Sequence, residues 1–125
     1  MQKPEKGQAW VKHEDVLVEN PPTWQEKRIL AYGEEVMIVE NVFDVGDKAP
    51  WHEHVHAQIT YVLDGEYDFN VDGEHKLVGK GDSVYMAPHA YHEVVCTKPG
   101  MVLDVFVPMR EIGRASCRER VFRAV

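Results

Sequence analysis

WHEHVHAQ, Trp51 to Gln58, sets histidines at 52, 54 and 56 and a glutamine at 58, all in one phase of a two-residue repeat. On a strand, residues two apart share a face, so an unbroken strand here would present all four side chains together. Two imidazoles so spaced can reach one divalent ion, and a third beside them favours metal binding over a solvated polar face. A complete site needs a further ligand from another strand. His75, His89 and His92 are the candidates. His75 adjoins an Asp-Gly turn, which favours exposure. His89 and His92 lie in PHAYH, directly after SVYMA, where a proline-containing turn can carry either one inward.

Working outward, the chain reads as β. VMIVENVF (36–43) is rich in β-branched residues and alternates weakly. ITYVLDGEYDFNV (59–71) has the signature of a hairpin turning at Asp64-Gly65, and NVDGEHKLV repeats it at Asp72-Gly73. Lys80-Gly81-Asp82 marks another turn before the strand SVYMA. HEVVC and MVLDVFV follow, split by Lys98-Pro99-Gly100. WQEKRILAY (24–32) fits either a strand or a helical turn, and a short strand is expected around Val16 to Val18 within a polar N-terminal arm, residues 1–23. Short strands with turn signals about every ten residues predict a single all-β sandwich or small barrel with a central cavity.

In MVLDVFV one residue breaks the apolar run. Asp104 shares its phase with Phe106 and opposes Leu103, Val105 and Val107. Either it is a hydrogen-bonded or exposed polar residue, or it faces the barrel lumen with Phe106, where a carboxylate can act as acid or base.

Composition narrows the partners. With 125 residues, one domain is the default. The net charge of −7 argues against nucleic acid or anionic membrane, which call for a basic surface, yet leaves room for a small anionic ligand. No run is apolar enough to span a bilayer and no secretory leader opens the chain, so a cytoplasmic location is expected. Cys96 and Cys117 form no disulfide framework. Residues 112–125, IGRASCRERVFRAV, carry four arginines and no lysine. With Glu111 they resemble the in-frame translation of a sequencing adapter, so they are read as a non-native tail, against the alternative of a basic helix.

The segment GDKAPWHEHVHAQITYVLDG, 46–65, resembles the first motif of the cupin superfamily: Gly46, His52, His54, Gln58 and Gly65 fit its spacing. GDSVYMAPHAYH, 81–92, resembles the second, departing from it with Ala87 where proline is usual and His89 where glycine is usual. The resemblance implies a jelly-roll barrel holding one divalent ion (nickel, zinc, manganese or iron) through His52, His54, Gln58 and His92, with His56 and His89 as neighbours. Glutamine replaces the usual glutamate, so four neutral ligands would leave the ion its full charge. That suits a Lewis acid better than oxygen activation. Residues 24–111, a barrel with RILAY, HAQITYVLDG, GDSVYMAP and DVFVPMRE, are similar to the KdgF-type subgroup of cupins from pectin and alginate degradation. This implies conversion of unsaturated monouronates to linear ketonised sugars such as 5-dehydro-4-deoxy-D-glucuronate. Asp104 would then donate or relay the proton, Arg110 would pair with the substrate carboxylate, and Phe106 would wall the ring. A homodimer is expected. A dioxygenase, an isomerase of another sugar acid and a non-catalytic sugar-binding module are the rival readings.

Overall fold

The computed structural model describes residues 1–52 and 55–108, and of positions 50–52 the backbone alone. The supposed tail lies outside the described residues. Seven strands follow a short 3-10 turn, His13–Asp15: β1 (Glu26–Tyr32), β2 (Met37–Phe43), β3 (Lys48–His52), β4 (Ala57–Val71), β5 (Glu74–Gly79), β6 (Ser83–Met86) and β7 (His92–Val107). All pairings between them are antiparallel.

Two long strands organise the rest. β4 has 15 residues and β7 has 16, and they pair along nearly their whole lengths, from Ala57↔Val107 to Val71↔His92. The C-terminal part of β7 also pairs with β2, and the N-terminal part of β4 with β6. At the other end, β7 pairs with β3 and β4 with β5. The seven strands make one hydrogen-bonded sheet that the long pair divides into two half-sheets, and residues alternating along each strand turn one side chain in two toward the interior.

This corrects two expected turns. Asp64-Gly65 and Lys98-Pro99-Gly100 do not end strands; they are bends within β4 and β7, and the register shifts between Val62 and Tyr67. The cause is close backbone approach. A Cβ on Gly100 would sit 2.0 Å from the Asp64 carbonyl oxygen, and one on Gly65 2.7 Å from the carbonyl oxygens of Lys98 and Pro99. The two glycine-bearing bends lie against each other, where both strands pass from one half-sheet to the other. Asp72-Gly73 is a true hairpin turn: both residues have positive φ, 50° and 93°, as a type I′ turn demands.

β1 resolves the ambiguous WQEKRILAY as a strand. No strand forms around Val16 to Val18; isolated bridges Gln2↔Val16 and Glu19↔Lys27 tie the arm to itself and to β1. His13 in the arm meets Glu40 at 2.9 Å, and Arg28 reaches the same carboxylate at 3.2 Å. Between the half-sheets lies the core of Phe43, Val62, Tyr67, Phe69, Met86, Val94, Cys96 and Val102. Trp24 stacks on Phe43 (5.9 Å between centroids, 15°), and Tyr67 meets Phe43 edge-on at 5.6 Å. Burial raises the Tyr67 phenol above its usual range, and the neighbouring Cys96, Asp64 and Asp104 add to the effect. Among the described residues no helix is long and apolar enough to cross a membrane.

Candidate functional site

Beside this core a cavity of about 70 Å³ opens between the half-sheets. It has room for an ion and a few waters, at the ~10–15 Å³ each water requires. Gln58, Thr60, His92, Asp104 and Phe106 line it, with Asn41, Lys27 and Trp24.

The strand registers explain the gathering. Thr60 lies directly opposite Asp104 across β4 and β7, so the two share a face. Gln58 stands opposite Phe106, on the diagonal from Asp104. On the other side of β7, Val39 faces Asp104 and Asn41 faces Val102, which places Asn41 on the second diagonal. Asp104 is therefore flanked from both neighbouring strands. Its Oδ1 accepts from the Thr60 hydroxyl at 2.5 Å and from Gln58 Nε2 at 3.0 Å, and its Oδ2 accepts from Asn41 Nδ2 at 2.7 Å. Hydrogen bonds of this sort, onto an acidic group in a cavity wall, are among the stronger ones available to a protein.

Asp104 is only 8% exposed and Phe106 4%, so both occupy the interior phase of β7. Of the three candidate partners for the histidine run, His92 alone is buried, at 3%, and lines the cavity. His75 is exposed and lies 3.2 Å from Asp68. His89 is exposed in the turn before β7 with φ +69°, a left-handed conformation that glycine adopts without cost, which accounts for the glycine usual at that place.

The histidine run is not one continuous strand. β3 ends at His52, bends follow at Val55 and His56, and β4 begins at Ala57. Register, rather than simple alternation, therefore relates the candidates: His52 pairs with His92 across β3 and β7, while Gln58 is on β4. His56 is fully buried edge-on to Phe106, with ring centroids 6.4 Å apart. The side chain of His52, all of His54, and Arg110 lie outside the described residues. Among the described residues no three His, Cys, Asp or Glu side chains are grouped to hold a metal. What is described nonetheless suits a divalent ion. A buried imidazole, His92, and an amide, Gln58, line one cavity. The nitrogen of that amide faces Thr60 at 3.2 Å and Asp104 at 3.0 Å, so its carbonyl oxygen is the branch turned from Asp104. An oxygen and a neutral imidazole nitrogen are the donors such ions take.

Four lining residues with a polar side-chain group were not legible as site residues in the sequence: Trp24, Lys27, Asn41 and Thr60. Among the described lining residues Lys27 is the one cation. It stands opposite Asn41 in the β1–β2 register.

Comparison with known proteins agrees with this architecture. The cupin domain family matches residues 39–106. The chain is 29% identical over 102 residues to the pectin degradation protein KdgF of Dickeya dadantii, covering 75% of this chain and 93% of that protein. An RmlC-like cupin from Shewanella frigidimarina superposes with a TM-score of 0.80 at 35% identity, covering 89% of this chain and 97% of that one. KdgF from Halomonas sp. superposes with a TM-score of 0.77 at 27% identity, covering 82% and 96%. The chain belongs to the cupin family.

Proposed function

We propose that this cupin opens and ketonises unsaturated monouronates, the products of pectin and alginate lyases, with one divalent ion in the cavity. The observation that carries the reading is the Asp104 carboxyl group held against Gln58 beside His92 in one cavity, in a chain similar to KdgF over most of its length.

The reaction is an isomerisation. The anomeric hydroxyl gives up its proton, the bond from that carbon to the ring oxygen breaks, and an aldehyde forms. The enol released becomes a ketone when its carbon gains a proton. No oxidant and no net water are consumed. His52, His54, Gln58 and His92 would hold the ion, which would supply a Lewis acid for the substrate oxygens.

The remaining work belongs to side chains of this protein. Asp104 relays the proton, held by its three hydrogen bonds at a fixed place on the cavity wall. Phe106, braced by His56, forms the flat wall against which the ring lies. Arg110 is assigned to the substrate carboxylate from the family resemblance, as a planar fork suited to two-point binding. Lys27 adds positive charge on the described wall. The neutral Gln58 supports this reading over an oxygenase, whose iron site uses a carboxylate ligand. Asp104 is the one carboxyl group among the described lining residues, and both of its oxygens already accept from Asn41, Gln58 and Thr60.

The test uses unsaturated galacturonate released by a lyase, followed by the loss of its enol absorbance. Wild-type protein should accelerate the loss, and Asp104→Ala or His92→Ala should slow it by about 100-fold or more. No acceleration with nickel, zinc, manganese or iron supplied would overturn the proposal. Tight binding of the sugar acid without turnover would replace it with a binding module.

A further inference from the structure

Behind Asp104 runs a line of polar contacts that converge on its carboxyl group. The indole Nε1–H of Trp24 donates to Asn41 Oδ1 at 3.0 Å. Asn41 Nδ2 donates to Asp104 Oδ2 at 2.7 Å. Asp104 Oδ1 accepts from Gln58 Nε2 at 3.0 Å. An indole nitrogen can only donate, so it fixes which end of the Asn41 amide it meets. Asn41 must then turn its NH₂ group to Asp104, and Asp104 in turn draws the NH₂ group of Gln58. Each amide in the series could otherwise sit either way round; the donor-only indole removes that freedom from Asn41, and the accepting carboxyl group, held in place by Asn41, removes it from Gln58.

We infer that Trp24 and Asn41 are positioning residues that set the direction of the Asp104 carboxyl group and, through it, turn the carbonyl oxygen of Gln58 toward the metal position. This deepens the function proposed above and rests on it. Neither residue would touch the ion or the substrate's reacting atoms. Trp24 is anchored for the task by its stack on Phe43 and by its place just before β1, outside the two strands that carry Asp104 and Gln58. Asn41 is 7% exposed, a polar side chain on the interior phase of β2 between the apolar Val39 and Phe43. Burying an amide there carries a cost that its two hydrogen bonds offset. Outer contacts that orient a ligand in this way commonly change metal affinity by ~10–100-fold when removed.

The experiment loads metal-stripped full-length protein with cobalt(II), measures the dissociation constant by chelator competition, and records the visible spectrum, which reports the ligands around the ion. Asn41→Leu keeps the size and removes both polar contacts. It should weaken cobalt binding by ~10-fold or more and alter the spectrum. Trp24→Phe keeps a stacking ring, removes only the N–H, and stands in if Asn41→Leu does not fold. It should weaken binding by about two- to tenfold, with the spectrum shifted in the same sense. A purely structural role would lower the melting temperature and leave the spectrum of the folded, loaded protein unchanged. Wild-type affinity and spectrum in both variants would overturn this inference alone. Failure of the wild type to bind cobalt at all would overturn the metal reading beneath it.

Discussion

Thr60 holds Asp104 through a 2.5 Å hydrogen bond while contributing almost no surface of its own, at 1% exposure. Thr60→Val preserves the shape and deletes the donor, leaving a buried carboxyl oxygen short of one partner. It should cost ~1.5–3 kcal/mol in urea unfolding, the usual range for losing one hydrogen bond to a charged group, since Gln58 still donates to the same oxygen. The same substitution should lower turnover of unsaturated galacturonate. Unchanged values for both would show that the contact does not hold the carboxyl group. Asp104 was legible in the sequence because it interrupts the apolar run MVLDVFV. Asn41 carries the same signal, a polar residue in phase with Met37, Val39 and Phe43, all buried. What the sequence did not contain was adjacency. Nothing in it shows that β2 and β4 flank β7, and only that neighbourhood turns Asn41, Gln58, Thr60 and Asp104 into one hydrogen-bonded group.

The two long strands depend on glycines that do different jobs. Gly65 and Gly100 let two backbones meet, whereas Gly73 serves only a turn conformation, with open space where a Cβ would go. Gly100→Ala should therefore destabilise by at least ~3 kcal/mol or prevent folding, since backbone atoms must move. Gly73→Ala should cost only about 1–2 kcal/mol for its positive φ. Equal costs, measured by denaturant unfolding, would contradict the crossing of β4 and β7 at this point. Asp64-Gly65 and Asp72-Gly73 are the same dipeptide, which is why the sequence suggested two hairpins. A glycine with positive φ suits a bulge as well as a tight turn. The partner decides, and here it is Lys98-Pro99-Gly100, some thirty residues away. β2, β6 and the turn at Lys80-Gly81-Asp82 were readable because local pattern alone specifies them. The break after His52 was not, because the parity of the histidine run holds across it.

For the molecule as a whole, the core sets its response to alkali. Burial pushes the Cys96 thiol from about 9 up to about 11, against a smaller opposite effect from its hydrogen bond to the Lys98 carbonyl. The folded state then holds a proton that the unfolded chain releases, so stability is full below about pH 9 and falls as pH rises toward 11. The raised Tyr67 phenol extends the decline above pH 10. Melting temperatures across that range should fall less steeply in Cys96→Ala than in the wild type, and parallel slopes would contradict the assignment. The most direct test of the whole account restores a divalent ion stepwise to metal-stripped protein while the enol absorbance of unsaturated galacturonate is followed. Activity should climb in proportion to added ion and level off at about one ion per chain. Decay of the absorbance at the uncatalysed rate, whatever the ion and however much is added, would contradict it.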